Sequence, residues 1–164
     1  MLKAATTLEI TGGILVGHDG SAAAADSVRW AARLAGRLGT PLHVVRCWSI
    51  STAPRPATAT DGYVPPLTDF EAAVLDRLRA DLAQLELDVP PTCHVLHGPA
   101  GRRLLEASEL VDMLVIGTRG AGGFLGLHLG STADQVVRHA RCPVVVVPVE
   151  GADDPPDLDT QLAE

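Results

Sequence analysis

Aromatic residues are nearly missing from this sequence: two Trp, two Phe and one Tyr in 164 residues, or 3%. The core must therefore be built from Val, Leu, Ile and Ala, a composition that suits helices packed closely on a β-branched sheet and argues against an aromatic-rich sandwich. Basic runs are also missing. The net charge is −7, the pI is about 5.3, and the arginines stand singly or in pairs. Nucleic acid is excluded as a primary partner, because a polyanion needs a concentrated Lys/Arg surface. A mononucleotide remains open, since backbone amides and a helix N-terminus hold phosphate without net positive charge. No apolar run approaches the roughly 20 residues that span a bilayer, and Met1–Gly13 lacks the apolar centre of a secretory signal. Cys47, Cys93 and Cys142 are odd in number, have no metal-like spacing and sit in or beside apolar runs, so they read as reduced, partly buried thiols. A cytoplasmic location is the expectation.

What is present is an alternation. Residues 1–12 read as a flexible leader. Ile14-Leu15-Val16 is a short apolar run ending in Gly17-His18-Asp19-Gly20-Ser21, a buried strand followed by a turn. Val28, Ala31, Ala32, Leu34, Ala35 and Leu38 then recur at helical spacing up to Gly39, with Ser21 or Asp26 as the cap. Pro41–Trp48 predicts a second strand. Ser49–Pro66 is rich in Pro, Thr, Ala and Ser, has no periodicity, and is a long connection of the kind that is functional or disordered. Thr68–Leu87 returns to helical spacing, with Thr68 and Glu71 placed as a capping box. Pro91–Leu96 is a third strand, followed by a short helix through Leu104, Leu105 and Leu110. Asp112–Gly117 is a fourth, apolar throughout as a strand covered on both faces must be. A helix over about Thr132–His139 and a fifth strand, Pro143–Pro148, complete the folded unit, residues 13–149. Residues 150–164 read as a disordered acidic tail.

Alternating strands and helices give a single-domain α/β fold: one parallel sheet with helices on both faces. In such folds ligands bind beyond the carboxyl ends of the strands, where the strand order reverses. The loose, glycine-rich segments follow the first and fourth strands. If these strands are neighbours, the switch point lies between them.

The segment after the fourth strand has the parts of a phosphate cradle. Gly117 lets the chain pass close to a ligand, Gly120 opens a loop kept pliable by Gly122, Gly123 and Gly126, and Gly130-Ser131-Thr132 opens the last helix. Close backbone approach needs residues without Cβ bulk, and a helix N-terminus adds unpaired amides and partial positive charge. A glycine-rich loop alone is weak evidence, since glycines also shape ordinary turns. Here it lies between a buried strand and a hydroxyl-bearing helix start, as the phosphate mechanism requires. It contains no Gly-Lys-Ser/Thr and is not a P-loop.

Together, Val16-Gly17-His18-Asp19-Gly20-Ser21, Gly117-x2-Gly120-x9-Gly130-Ser131 and Arg141-Cys142-Pro143-Val144-Val145-Val146-Val147-Pro148 closely resemble the universal stress protein family, over Ile14 to Pro148. The spacing of the long glycine motif is that of the family's ATP-binding branch. The resemblance implies a five-stranded sheet of order 3-2-1-4-5 in an adenine nucleotide alpha hydrolase-like fold, and ATP, alone or with Mg2+, as ligand. By resemblance, Gly17 and Asp19 belong to the pocket, Asp19 contacting the nucleoside. The main chain near Cys47 lines the adenine, Gly117 lies by the ribose, Gly120, Gly130 and Ser131 surround the phosphates, and Thr132 adds a hydroxyl. Arg119 either neutralises phosphate charge or is simply solvated, and Asp19 also suits a turn former or helix cap. His18 and His128 stand where relatives carry small or aliphatic residues, and an exposed, idle histidine is the ordinary reading of both.

The resemblance further implies a homodimer through Pro143–Pro148, an apolar edge strand open to pairing with a second copy. No Ser-His-Asp arrangement and no metal cluster can be argued from the sequence. Asp19 is the one candidate base for hydrolysis, and the resemblance puts it by the sugar instead. The expectation is an ATP-binding regulatory or sensing module of the stress response. Its rivals are a slow ATPase of the same fold, and a scaffold that holds AMP, cyclic AMP or no nucleotide.

Overall fold

The computed structural model of the protein describes residues 4–118 and 129–148. Arg119, Gly120, Gly122, Gly123, Gly126 and His128, and the tail from residue 149, lie outside the described residues.

Nine elements alternate along the chain: β1 (Ile14–Gly17), α1 (Ala22–Leu38), β2 (Leu42–Trp48), α2 (Leu67–Ala83), β3 (Thr92–His97), α3 (Ala100–Ala107), β4 (Met113–Gly117), α4 (Ser131–His139) and β5 (Val144–Val147). The strands form one parallel sheet of order β3-β2-β1-β4-β5, as the resemblance implied. β1 is central, with Ile14 opposite Leu42 on one side and Met113 on the other. Successive side chains of a strand face opposite sides of the sheet. Ile14, Val16, Val44 and Val115 accordingly join one core, closed by Val28, Ala31 and Ala32 of α1 and Val74 and Leu78 of α2. Leu15, Val45, Leu114 and Ile116 join the other, with Leu104 of α3 and Val136 of α4. Burial on both faces is why β1 and β4 contain no polar residue.

Helix α1 starts and stops as its sequence suggests. The Ser21 hydroxyl accepts a hydrogen bond from the Ala24 amide (3.1 Å), and Gly39 ends the helix at φ +63°. Asp26, the alternative cap, pairs with Arg29 instead. The expected capping box on α2 is not formed: Pro66 is the N-cap and no side chain caps the helix. Glu71 accepts from the Ala5 amide at 2.8 Å, a tertiary partner that sequence spacing does not reveal. α2 also ends at Ala83, four residues short of Leu87, while Leu85 and Leu87 still pack on the core from beyond it.

Residues 4–12 are not a free leader. Ala4 and Leu8 are buried, and the Ala5 carbonyl accepts from the His97 amide at 2.7 Å, at the end of β3. The Ser49–Pro66 connection is a series of tight turns closed by backbone bonds such as Ala53 to Ser49 and Tyr63 to Thr60. The Thr58 hydroxyl joins it to Asp69 of α2 at 2.6 Å.

Gly13 pins the amino-terminal edge of the sheet. Its amide donates to the Asp112 carboxylate (2.7 Å), its carbonyl accepts from the Asp112 amide, and Ile14 donates to the Pro41 carbonyl. Its φ is +83°, and a Cβ there would lie 2.7 Å from the Pro41 oxygen. Gly62 has a similar φ of +82° with nothing within 4 Å of an added Cβ. Gly62→Ala is expected to cost only the left-handed backbone penalty of about 1–2 kcal/mol, whereas Gly13→Ala adds a backbone collision to it. Thermal unfolding of both variants checks this, and equal losses would show that the Pro41 contact relaxes freely.

Candidate functional site

The carboxyl ends of β1 and β4 lie side by side at the centre of the sheet, with β2 and β5 flanking them. The switch point is therefore between the two strands that carry the unusual loops. After β1, the Asp19 carboxylate accepts from the Ser21 amide at 3.0 Å, and Gly20 turns at φ +89°. The result is an Asx-type turn with Asp19 exposed at its tip, leading directly into the Ser21 cap. The turn-forming role weighed for Asp19 is thus present, and its side chain is exposed.

After β4, the Gly130 amide donates to the Thr118 carbonyl at 2.8 Å. This one bond brings the two ends of the intervening loop together and sets the N-terminus of α4 at the carboxyl end of β4. Gly130 is the N-cap, and among the described residues no side chain caps the helix. Ser131 is exposed and Thr132 half-buried at its first turn. An N-terminus without a capping side chain presents amides and partial positive charge to any anion placed before it. Gly117 faces α1: a Cβ there would touch Ala23 and Ser27 at 3.4 Å. Gly17 faces the opposite layer, 3.3 Å from Leu104 by the same construction. Both are half-buried. Thus Gly17, Asp19, Gly117, Gly130, Ser131 and Thr132 belong to the segments that gather at one end of the sheet.

Cys47 lies on β2, its side chain packed into the second core. Burial pushes its thiol up to about 12, against a smaller opposing pull from Arg103. It is a neutral core thiol at physiological pH, and any contact with a ligand would have to come from its main chain. Burial raises Cys93 and Cys142 as well. Among the described residues no group of three or more His, Cys, Asp or Glu is placed to hold a metal. A cavity of about 40 Å³ between residues 6–8 and α3, lined by residues such as Leu96, Arg103 and Leu110, includes none of the nucleotide candidates. It is room for a water, not a nucleotide.

His18 departs from the sequence reading. It is buried, 6% exposed, and its amide extends the ladder to the Val45 carbonyl at 2.9 Å. Its Nδ1 receives the Arg46 guanidinium (Nη2, 2.6 Å) and the Gly20 amide (3.3 Å). Two donors on Nδ1 place the proton of the neutral ring on Nε2. Arg46 Nη2 also donates to Asp81 of α2 at 2.7 Å, and Asp81 pairs with Arg77. Arg46 Nε is buried without a partner among the described residues. Neither Arg46 nor Asp81 was singled out from sequence. The available signal was an arginine inside an apolar strand, since a buried charge demands a partner.

Burial, reinforced by the Arg46 charge, pulls His18 from 6.5 down to about 4. Burial also lowers His43 and His94, whose rings meet at 3.1 Å. His18 is thereby neutral in the folded state above about pH 4 but takes up a proton near pH 6.5 once unfolded, and the lowering of His43 and His94 acts in the same direction. The unfolded chain binds more protons between those limits, so folding stability is full above about pH 6.5 and falls as pH drops towards 4. His18 alone accounts for about 1–3 kcal/mol of that fall. Denaturant titrations at pH 7.5 and 5.0 should show it, and His18→Gln should flatten the slope. An unchanged slope in that variant would remove His18 as its source.

A single parallel sheet whose strand order reverses between β1 and β4 defines the doubly wound α/β class, in which ligands bind beyond the carboxyl ends of the strands. The comparisons make this more specific. The sequence profile of the universal stress protein family matches residues 12–148. Universal stress protein Rv2623 of Mycobacterium tuberculosis is 34% identical over 143 residues, covering 82% of this chain and 47% of that one. Universal stress protein Mb2019 of Mycobacterium bovis is 33% identical over 158 residues, covering 84% and 48%. The chain belongs to the universal stress protein family. It spans about half the length of the curated relatives it matches.

Solved structures agree on the fold. The universal stress protein UspA from Lactobacillus plantarum superposes with a TM-score of 0.60 at 21% identity, covering 85% of this chain and 99% of that one. A universal stress protein in complex with cAMP gives 0.53 at 22% identity, covering 89% and 98%. One from Archaeoglobus fulgidus in complex with dAMP gives 0.50 at 22%, covering 84% and 98%.

Proposed function

We propose that this protein is an ATP-binding universal stress protein, a regulatory or sensing module whose state depends on the bound nucleotide. The observation that carries the reading is the Gly130–Thr118 bond, which sets an uncapped helix N-terminus against the carboxyl end of β4 and beside the Asp19 turn. The nucleoside lies at the Asp19 turn, with the adenine against the main chain near Cys47. The ribose passes Gly117, and Gly130, Ser131 and Thr132 hold the phosphates, aided by Gly17 in the floor of the crevice. Arg119 and Gly120, outside the described residues, complete the phosphate side, and Mg2+ accompanies the triphosphate. That related structures hold cAMP and dAMP supports an adenine nucleotide as the ligand class.

The protein holds ATP and turns it over slowly at most. Asp19 is engaged in its own turn, and near α4 the carboxylate of Asp134 is paired with Arg138, so neither is poised as a general base. Two copies pair through β5, the sheet edge, whose four valines are each only half-buried, in the cytoplasm. Among the described residues no helix is long and apolar enough to cross a membrane.

Calorimetry with ATP, AMP and cAMP on the purified chain tests the ligand. Gly130→Leu, which fills the cradle while its φ of −67° suits any residue, should weaken ATP binding at least about tenfold, or about 1.4 kcal/mol. Ser131→Ala should cost about 1 kcal/mol as one hydrogen bond is lost. Wild-type affinity in Gly130→Leu would sink the cradle assignment. Light scattering should give twice the 17.1 kDa chain mass, and a monomer at micromolar concentration would refute the β5 pairing.

A further inference from the structure

We infer that Arg46 is a positioning residue for nucleotide binding, acting through His18 to hold the Asp19 turn in place. The inference rests on the nucleotide reading above and names residues that reading does not use. Arg46 projects from β2, its side chain 12% exposed, and one nitrogen, Nη2, joins His18 Nδ1 at 2.6 Å to Asp81 Oδ2 at 2.7 Å. The guanidinium also lies directly beneath the turn: a Cβ on Gly20 would be 3.6 Å from the same Nη2. Three elements, β2, the β1–α1 turn and the last turn of α2, therefore converge on a single cation.

His18 precedes Asp19 in the chain, and Gly20, which follows it, donates to the same imidazole nitrogen. Asp19 is thus bracketed by two residues fixed on one ring, and that ring is fixed by Arg46. A bond from a charged donor is about twice as strong as a neutral one, and displacement of a ligand group by an ångström is enough to forfeit much of its contribution. Asp81 neutralises the cation and aims it. Its carboxyl is held below the usual carboxylate range by the Arg46 and Arg77 guanidinia, which outweigh its partial burial.

The test uses the full chain. In the wild type, nitrogen NMR should show His18 Nδ1 as the unprotonated nitrogen and Nε2 as the protonated one. Arg46→Met, which keeps the stem and removes the charge, should abolish that preference, move the amide signals of Asp19, Gly20 and Ser21, and weaken ATP binding about tenfold by calorimetry. Asp81→Asn, at a more exposed position that tolerates change, should give a smaller loss of about threefold. Arg46→Lys, which keeps the charge on a shorter side chain that does not reach the position of Nη2, should fall between Arg46→Met and the wild type. Leu82→Ala, the core residue next to Asp81 on α2, serves as a control that lowers stability and leaves affinity unchanged. Unmoved turn signals, or wild-type ATP affinity, in both Arg46→Met and Asp81→Asn overturn the inference. A wild-type chain that binds no ATP while the turn signals still move overturns the nucleotide reading instead.

Discussion

Every feature of the candidate site depends on the pairing of β1 with β4 at the centre of the sheet. Both strands are covered on both faces, so the pair is held by backbone hydrogen bonds in a dry environment, where an unmade bond is most costly. The register Ile14–Met113, Leu15–Leu114, Val16–Val115 brings the two strands to their carboxyl ends together. Because β2 lies on the far side of β1 and β5 on the far side of β4, the connections from β1 and β4 lead in opposite directions. The Asp19 turn and the start of α4 both lie at this end of the sheet as a consequence of that register.

The same end of the sheet carries a connected polar network of His18, Arg46 and Asp81. A cation buried inside an apolar strand is unfavourable unless its partners are supplied, and Arg46 obtains them from segments distant in the chain: His18, 28 residues away, and Asp81, 35 residues away. Burial holds His18 neutral, and the neighbouring Arg46 charge adds repulsion against a second positive charge. At the opposite end, Gly13, Asp112 and Pro41 seal the sheet by backbone bonds with little side-chain chemistry. The two ends are thus built differently: one is closed by backbone bonds, the other carries the polar side chains of His18, Arg46 and Asp81.

The fold was largely legible in the chain because its signals are periodic and local. Among the described residues all five strands and four helices form where the apolar spacing predicts them, although α2 ends at Ala83 and α3 at Ala107, short of the expected Leu87 and Leu110. Ser21 and Gly39 cap α1 for reasons readable in the residues themselves. The misreadings share one cause. Glu71 is the right residue at the right spacing for a capping box, yet it serves Ala5. Residues 1–12 read as a flexible leader, yet Ala4 and Leu8 are buried. His18 looks like a surface histidine in a glycine-rich turn and is a buried acceptor. In each case the partner is far away in sequence, and no window of neighbouring residues contains it.

By itself, then, the sequence determined the alternation of elements, the two-faced burial of the central strands, and the glycine and hydroxyl residues flanking the fourth strand, because these follow from side-chain period and from backbone sterics at single residues. The resemblance of its motifs supplied the family and the strand order before any coordinate did. Only the tertiary structure decided which polar groups meet. That the Thr118 carbonyl closes on the Gly130 amide, and that Arg46 lies beneath the Asp19 turn with Asp81 behind it, depends on angles and distances accumulated over whole elements. Hydrogen bonds tolerate errors of only a few tenths of an ångström, so such pairings are settled by packing and not by pattern.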